Sequence, residues 1–138
     1  MTRKTIVEDF LQKLSSDLHI EGAVKDEQTN LFTIRIGMHT MIVEELTPGF
    51  SLWSSIAHLP DGDKEDLYLH LMQANFLGQG TGGGSIGIDQ DEKSLTLSLC
   101  IPYEVKYEAF KEHVEDFLNY VEYWREQIEA YQNKSSMM

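Results

Sequence analysis

Gly78, Gly80 and Gly83 stand in the spacing G-x-G-x-x-G, by which a glycine-rich turn lets the backbone approach the pyrophosphate of a dinucleotide. That chemistry needs a buried strand before the glycines and a helix opening after them, because the helix N-terminus holds the phosphates. Here the order is reversed: a helical pattern precedes the glycines and a strand pattern with Ile86 and Ile88 follows. Gly84 and Ser85 follow Gly83, where a P-loop needs Lys and then Ser or Thr. The glycines therefore read as a helix C-cap at Gly78 and a connector. Asp89 and Asp91 open like a calcium loop, but its sixth position is Ser94 rather than glycine and its twelfth is Cys100 rather than glutamate, so a solvated hairpin turn is expected. His19, His39, His58, His70 and His113 show no H-x-x-x-H pair, and Cys100 has no cysteine companion, which leaves zinc unsupported. Cys100 reads as a small buried side chain rather than a nucleophile. Glu104, Glu108, Glu112, Glu115, Asp116, Glu122, Glu126 and Glu129 read as the solvated face of one helix. The expectation is a protein that is not an enzyme, with no cofactor and no metal. The alternative kept beside it is a small anion- or nucleotide-binding domain or enzyme using the Gly78–Gly84 loop.

The elements that would position these residues follow from periodicity. Ile6, Phe10, Leu14 and Leu18, with Val7 and Leu11, make one apolar stripe on a helix of about four turns, with Gly22 as its stop. From Leu31 to His58 the period changes to two. Phe32, Ile34 and Ile36, then Met41 and Val43, then Phe50, Leu52, Ser54 and Ile56 mark three strands joined by turns at Gly37 and Pro48–Gly49. Leu31, Ile42 and Trp53 fall on the opposite face, so this meander is apolar on both sides. Asp63 is placed to cap a second helix carrying Leu67, Leu71, Ala74 and Leu77 on one side, with Leu69, Met72 and Phe76 extending its apolar surface. After the glycines come the Ile86–Ile88 strand, a turn over Asp89–Lys93, and a cleanly alternating strand of Leu95, Leu97, Leu99 and Ile101. Pro102 opens a last helix whose stripe runs from Tyr107 through Phe110, Val114, Phe117, Val121, Trp124 and Ile128 to Tyr131. Its aromatic content suits packing on a sheet better than a coiled-coil seam. The order α-β-β-β-α-β-β-α predicts an α+β sandwich: a twisted antiparallel sheet with flanking helices, as a single domain over 1–132 and a frayed tail over 133–138.

At 138 residues one domain is expected, and a second copy would help it bury apolar surface. Acids outnumber bases 23 to 11, a formal charge of −12, which disfavours nucleic acid and anionic membrane surfaces as partners. A lone cysteine fits a reducing compartment, and no run approaches the roughly 20 apolar residues of a membrane span, so a cytoplasmic location is expected.

The chain resembles the class I type III secretion chaperones, the Tir chaperone (CesT)-like family. The resemblance rests on the element order and on a run of hydrophobic positions. Leu71, Met72, Asn75 and Phe76 precede a glycine-bearing connection. Ile86, Gly87, Ile88 and Asp89 follow, then Leu95, Leu97, Leu99, Ile101 and Pro102. A helix with Phe110, Val114, Phe117 and Leu118 closes the run. The Gly80–Gly84 stretch is richer in glycine than the family pattern. The resemblance implies a cytoplasmic bacterial homodimer that binds the N-terminal region of secreted effectors. It would keep that region non-globular and ready for the export apparatus, without nucleic acid or membrane insertion. Leu11, Leu14, Phe32, Ile34, Met41, Val43 and Trp53 are then the expected effector groove. Leu69, Met72, Phe76, Ile86 and Ile88 are the expected dimer interface. A regulatory adaptor sharing the fold is a further alternative.

Overall fold

The computed structural model describes residues 5–136. Helix α1 (Ile6–Leu18) starts where Thr5 Oγ1 accepts the Glu8 N–H at 3.2 Å. Val7, Leu11 and Leu14 are buried, while Ile6 faces outward. The helix ends four residues before Gly22, because His19 itself takes the left-handed conformation (φ 55°) and its N–H closes back on the Ser15 and Ser16 carbonyls. Six strands follow in two groups: β1 (Val24–Lys25), β2 (Leu31–Ile36), β3 (His39–Glu45) and β4 (Phe50–His58), then β5 (Ser85–Ile88) and β6 (Ser94–Ile101). They form one antiparallel sheet in the order β1-β2-β3-β4-β6-β5. Strand β1 adds one strand to the expected order. At two residues it is too short for any periodicity to reveal.

The chain groups into two compact units, Met1–Trp53 with Cys100–Glu115, and Ser54–Leu99 with Asp116–Met138. In the first, Phe32, Val43 and Leu52 stand in one cross-strand row and Ile34 and Met41 in the next, all buried. Phe50 packs edge-on to Phe110 with centroids 4.9 Å apart, and Phe10 of α1 lies 5.2 Å from the same ring. This aromatic triplet closes the core of the unit. Gly49 is required here: its φ is 98°, and a Cβ would collide with the Ile101 carbonyl oxygen. On the opposite face of these strands Leu31, Ile42 and Trp53 are half-buried, as the alternation predicts.

In the second unit, helix α2 (Glu65–Asn75) buries Leu67, Leu71 and Ala74. Its N-cap is Lys64; Asp63, expected as the cap, stands one residue before it, and its Oδ1 accepts the Glu65 N–H. The helix stops at Asn75. A 3₁₀ turn over Phe76–Gly78 then turns Leu77 into positive φ, so Leu77 is exposed rather than on the buried side. Helix α3 (Tyr107–Ser136) begins five residues beyond Pro102 and runs through 133–136, where fraying was expected; Met137 and Met138 lie outside the described residues. Phe110 to Ile128 of its stripe are buried, the pattern of a core helix. The Asp89–Lys93 turn is a closed hairpin: Asp89 N–H reaches Ser94 O at 2.8 Å, and Asp91 Oδ1 accepts the Lys93 N–H at 2.8 Å. Cys100 is exposed rather than buried, because it alternates onto the side of β6 away from Leu95, Leu97 and Leu99.

Candidate binding surfaces

The glycine loop is spent on itself. The N–H groups of Gln79, Gly80, Thr81, Gly83 and Gly84 donate to Phe76 O, Ala74 O, Gly78 O, Gly78 O and Thr81 O respectively. A phosphate cradle needs such groups aimed outward at one point. Gly80 has no room for a side chain, since a Cβ would sit 2.8 Å from Ala74, and its carbonyl accepts the Trp124 indole N–H at 2.8 Å. Gly82 is covered by the Tyr120 ring. The glycines let the connector pass close to α2 and α3. Among the described residues no three His, Cys, Asp or Glu side chains gather to hold a metal.

What the second unit does present is apolar surface. Leu69 and Met72 of α2 and Phe76 of the 3₁₀ turn are 54–69% exposed, Ile88 of β5 is 50% exposed, and Leu77 adds to them. Of the five residues expected at a dimer interface, four are therefore open and Ile86 is buried. The Ile86 backbone has another role: Asn75 Oδ1 accepts its N–H at 2.7 Å and Asn75 Nδ2 donates to its carbonyl at 2.9 Å. The amide of Asn75 thus occupies a rung beside β5 as a neighbouring strand would. Sequence reasoning noted Asn75 only as part of a pattern, because nothing local says which backbone an amide will meet. Beside α2, a cleft of about 610 Å³ is lined by His70, Gln73, Tyr120, Tyr123 and Trp124 among others.

The first unit holds the residues expected to form an effector groove, and it divides them. Leu11, Leu14, Phe32, Ile34, Met41 and Val43 pack into its core and are buried. They are core because the inner face of β2 and β3 and the stripe of α1 satisfy one another. Trp53 alone lies on the outer face, opposite Ile42 in the register, with Ile42 in turn opposite Thr33 and Thr33 opposite Val24. Val24, Thr33, Ile42 and Trp53 thus make one row across four strands. A second cleft of about 450 Å³ is lined by Ile6, Val7, Phe10, Leu46, Pro48 and Phe50 with Glu45 and Glu104. Glu45 Oε2 accepts the Val7 N–H at 3.1 Å, satisfying one free donor of the first turn of α1.

A chain of the ExsC–ExsE complex superposes with a TM-score of 0.71 over 91% of this chain and 96% of its own, at 14% identity. A chain of the HopA1–SchA chaperone–effector complex gives 0.62 over 90% and 99%, at 15% identity. One from the heterodimeric ExoU–SpcU complex of the Pseudomonas aeruginosa type III secretion system gives 0.61 over 88% and 93%, at 12% identity. At such identities the likeness is one of fold. A Chlamydia pneumoniae protein is 35% identical over 65 residues, a match that spans 47% of this chain and about half (49%) of that protein. The model of the Tir chaperone protein (CesT) family matches residues 9–125, and the chain belongs to that family.

Proposed function

We propose that the protein is a non-catalytic cytoplasmic chaperone that binds the N-terminal segment of one or more type III secreted effectors, keeping it extended and soluble for export. Family membership supports this reading, as does the presence of a chaperone–effector complex among its structural relatives. The observation that carries it is apolar surface: Leu69, Met72, Phe76 and Ile88 stand open in one unit, and the Ile42–Trp53 row is only half-buried in the other. Contiguous apolar surface on a small acidic protein marks a place for a protein partner. The α2–β5 surface suits a second copy, and the outer sheet face suits an extended client whose alternate side chains lie against Ile42 and Trp53. None of the described helices is long and apolar enough to cross a membrane.

The test is a pull-down of the tagged full chain from its native cell, with mass spectrometry of the retained protein. The expected result is a secreted protein that is retained through its N-terminal region and becomes protease-sensitive when the chaperone is removed. Recovery of no secreted protein would remove the reading.

A further inference from the structure

Strand β1 is a two-residue arm at the outer edge of a six-residue strand. Its register covers only Thr33 and Phe32, leaving Ile34, Arg35 and Ile36 of β2 without a described strand partner on that side. Both of its residues are exposed, and Val24 is 70% exposed. It is held by a tight turn, in which Asp26 N–H reaches Leu31 O at 2.9 Å and Asn30 N–H reaches Asp26 O at 2.8 Å. Among the described residues, Lys25 Nζ also pairs with Glu8 at 3.6 Å and lies 5.9 Å from the centroid of the Phe32 ring. Gly22, just before it, has open space where a side chain would stand. Little apolar area is lost if this arm swings away, so its release is inexpensive compared with opening any inner strand. Yet its presence blunts an edge that would otherwise accept any extended chain.

We propose that β1 is an internal placeholder for the client: an extended effector segment displaces it and pairs along the whole of β2. The inference rests on the chaperone reading given above. The occupant is defined by what β1 itself does there. Val24 projects on the outer face at the head of the Val24–Thr33–Ile42–Trp53 row, so an apolar client residue takes that position. Lys25 projects on the other face toward Glu8, so a basic residue follows it. The client strand is thus alternating apolar and basic, complementary to a chain of charge −12. Pairing beyond Thr33 to Ile36 offers it backbone bonds that β1 does not make, which is the driving force for exchange.

The test locks the arm. Directly opposed Cα atoms in an antiparallel pair stand about 5.5 Å apart or less, within disulfide reach. Val24→Cys with Thr33→Cys, in a Cys100→Ser background, therefore ties β1 to β2. The probe is the N-terminal fragment of the client recovered in the pull-down. The oxidised variant is expected to bind it about tenfold or more weakly than the same variant after reduction, because locking removes the competent state. Equal binding by both forms overturns the placeholder. So does a disulfide that forms between two copies, which would assign the edge to a second chain. Hydrogen exchange of the free full chain needs no client: the Asp26 amide is expected to exchange faster than the Val43 amide of β3, and equal protection overturns the proposal. A pull-down without any client strikes the chaperone reading instead, and leaves the exchange result to decide whether β1 opens.

Discussion

Single side chains set two local equilibria in this protein. Tyr107 O–H donates to Asp17 Oδ2 at 2.6 Å, and Lys111 Nζ stands 3.7 Å from the same oxygen. The tyrosine hydrogen bond, helped by Lys111, holds the Asp17 carboxyl below its ordinary range, while burial and the same bond push Tyr107 upward. A depressed carboxylate stabilises the fold at neutral pH and loses that contribution as pH falls through its folded-state value. Tyr107→Phe is therefore expected to return the Asp17 titration toward the usual carboxylate range, followed by carboxyl NMR, and to move the onset of acid unfolding to higher pH. An unchanged Asp17 titration would show that the bond has no such effect. Asn75 makes a different prediction. Removing its amide strips both a donor and an acceptor from the Ile86 backbone, so Asn75→Ala is expected to lower stability by about 1–3 kcal/mol, read by thermal or urea unfolding.

At the level of elements, the sequence disclosed strands by alternation and helices by stripes, and it did so wherever a segment was long enough to show its period. Strands β2 to β6 and all three α-helices stand where Phe32–Ile36, Met41–Val43, Phe50–Ile56, Ile86–Ile88, Leu95–Ile101 and the helical stripes place them. What escaped was set by tertiary contacts or by single backbone conformations. His19 rather than Gly22 ends α1, and Leu77 takes positive φ although it fits the α2 stripe. Strand β1 has no period to detect. The candidate surfaces were half-visible for the same reason. Excess apolar character on α2 could be seen, but alternation alone does not say which face of β2 and β3 a helix will cover, and six of the seven expected groove residues went to the core. The glycine connector yields a sharp test at this scale. Gly80 faces Ala74 at a distance where a methyl group cannot fit, and it bonds Trp124. Gly80→Ala is expected to cost about 1–3 kcal/mol by overpacking, with loss of the near-ultraviolet signal of Trp124. Gly87→Ala, where a Cβ meets nothing within 4 Å, serves as the benign control.

For the molecule as a whole, we propose that the open residues Leu69, Met72, Phe76 and Ile88 form the seam between two copies. A C2 interface uses the same patch from both copies, so one charge introduced on it appears twice and faces its own image. Met72→Glu with Phe76→Glu is expected to convert a dimer into a folded monomer, measured as a halving of mass by light scattering with circular dichroism unchanged. Both positions are exposed in the single chain, so the substitutions leave its core intact. An unchanged mass would place the seam elsewhere.

The exposed thiol of Cys100 has a practical consequence. It is the only cysteine in the chain, so a maleimide dye attaches at one place, without mutation and without disturbing a buried side chain. Labelling half the molecules with a donor and half with an acceptor turns self-association into energy transfer between subunits. The rate at which two labelled populations mix then reports how long two copies stay together, a lifetime that bears on whether a client is handed over by an intact pair or by a separating one. Because the thiol is exposed, sizing experiments include a reductant, so that a disulfide between two copies does not pass as a dimer.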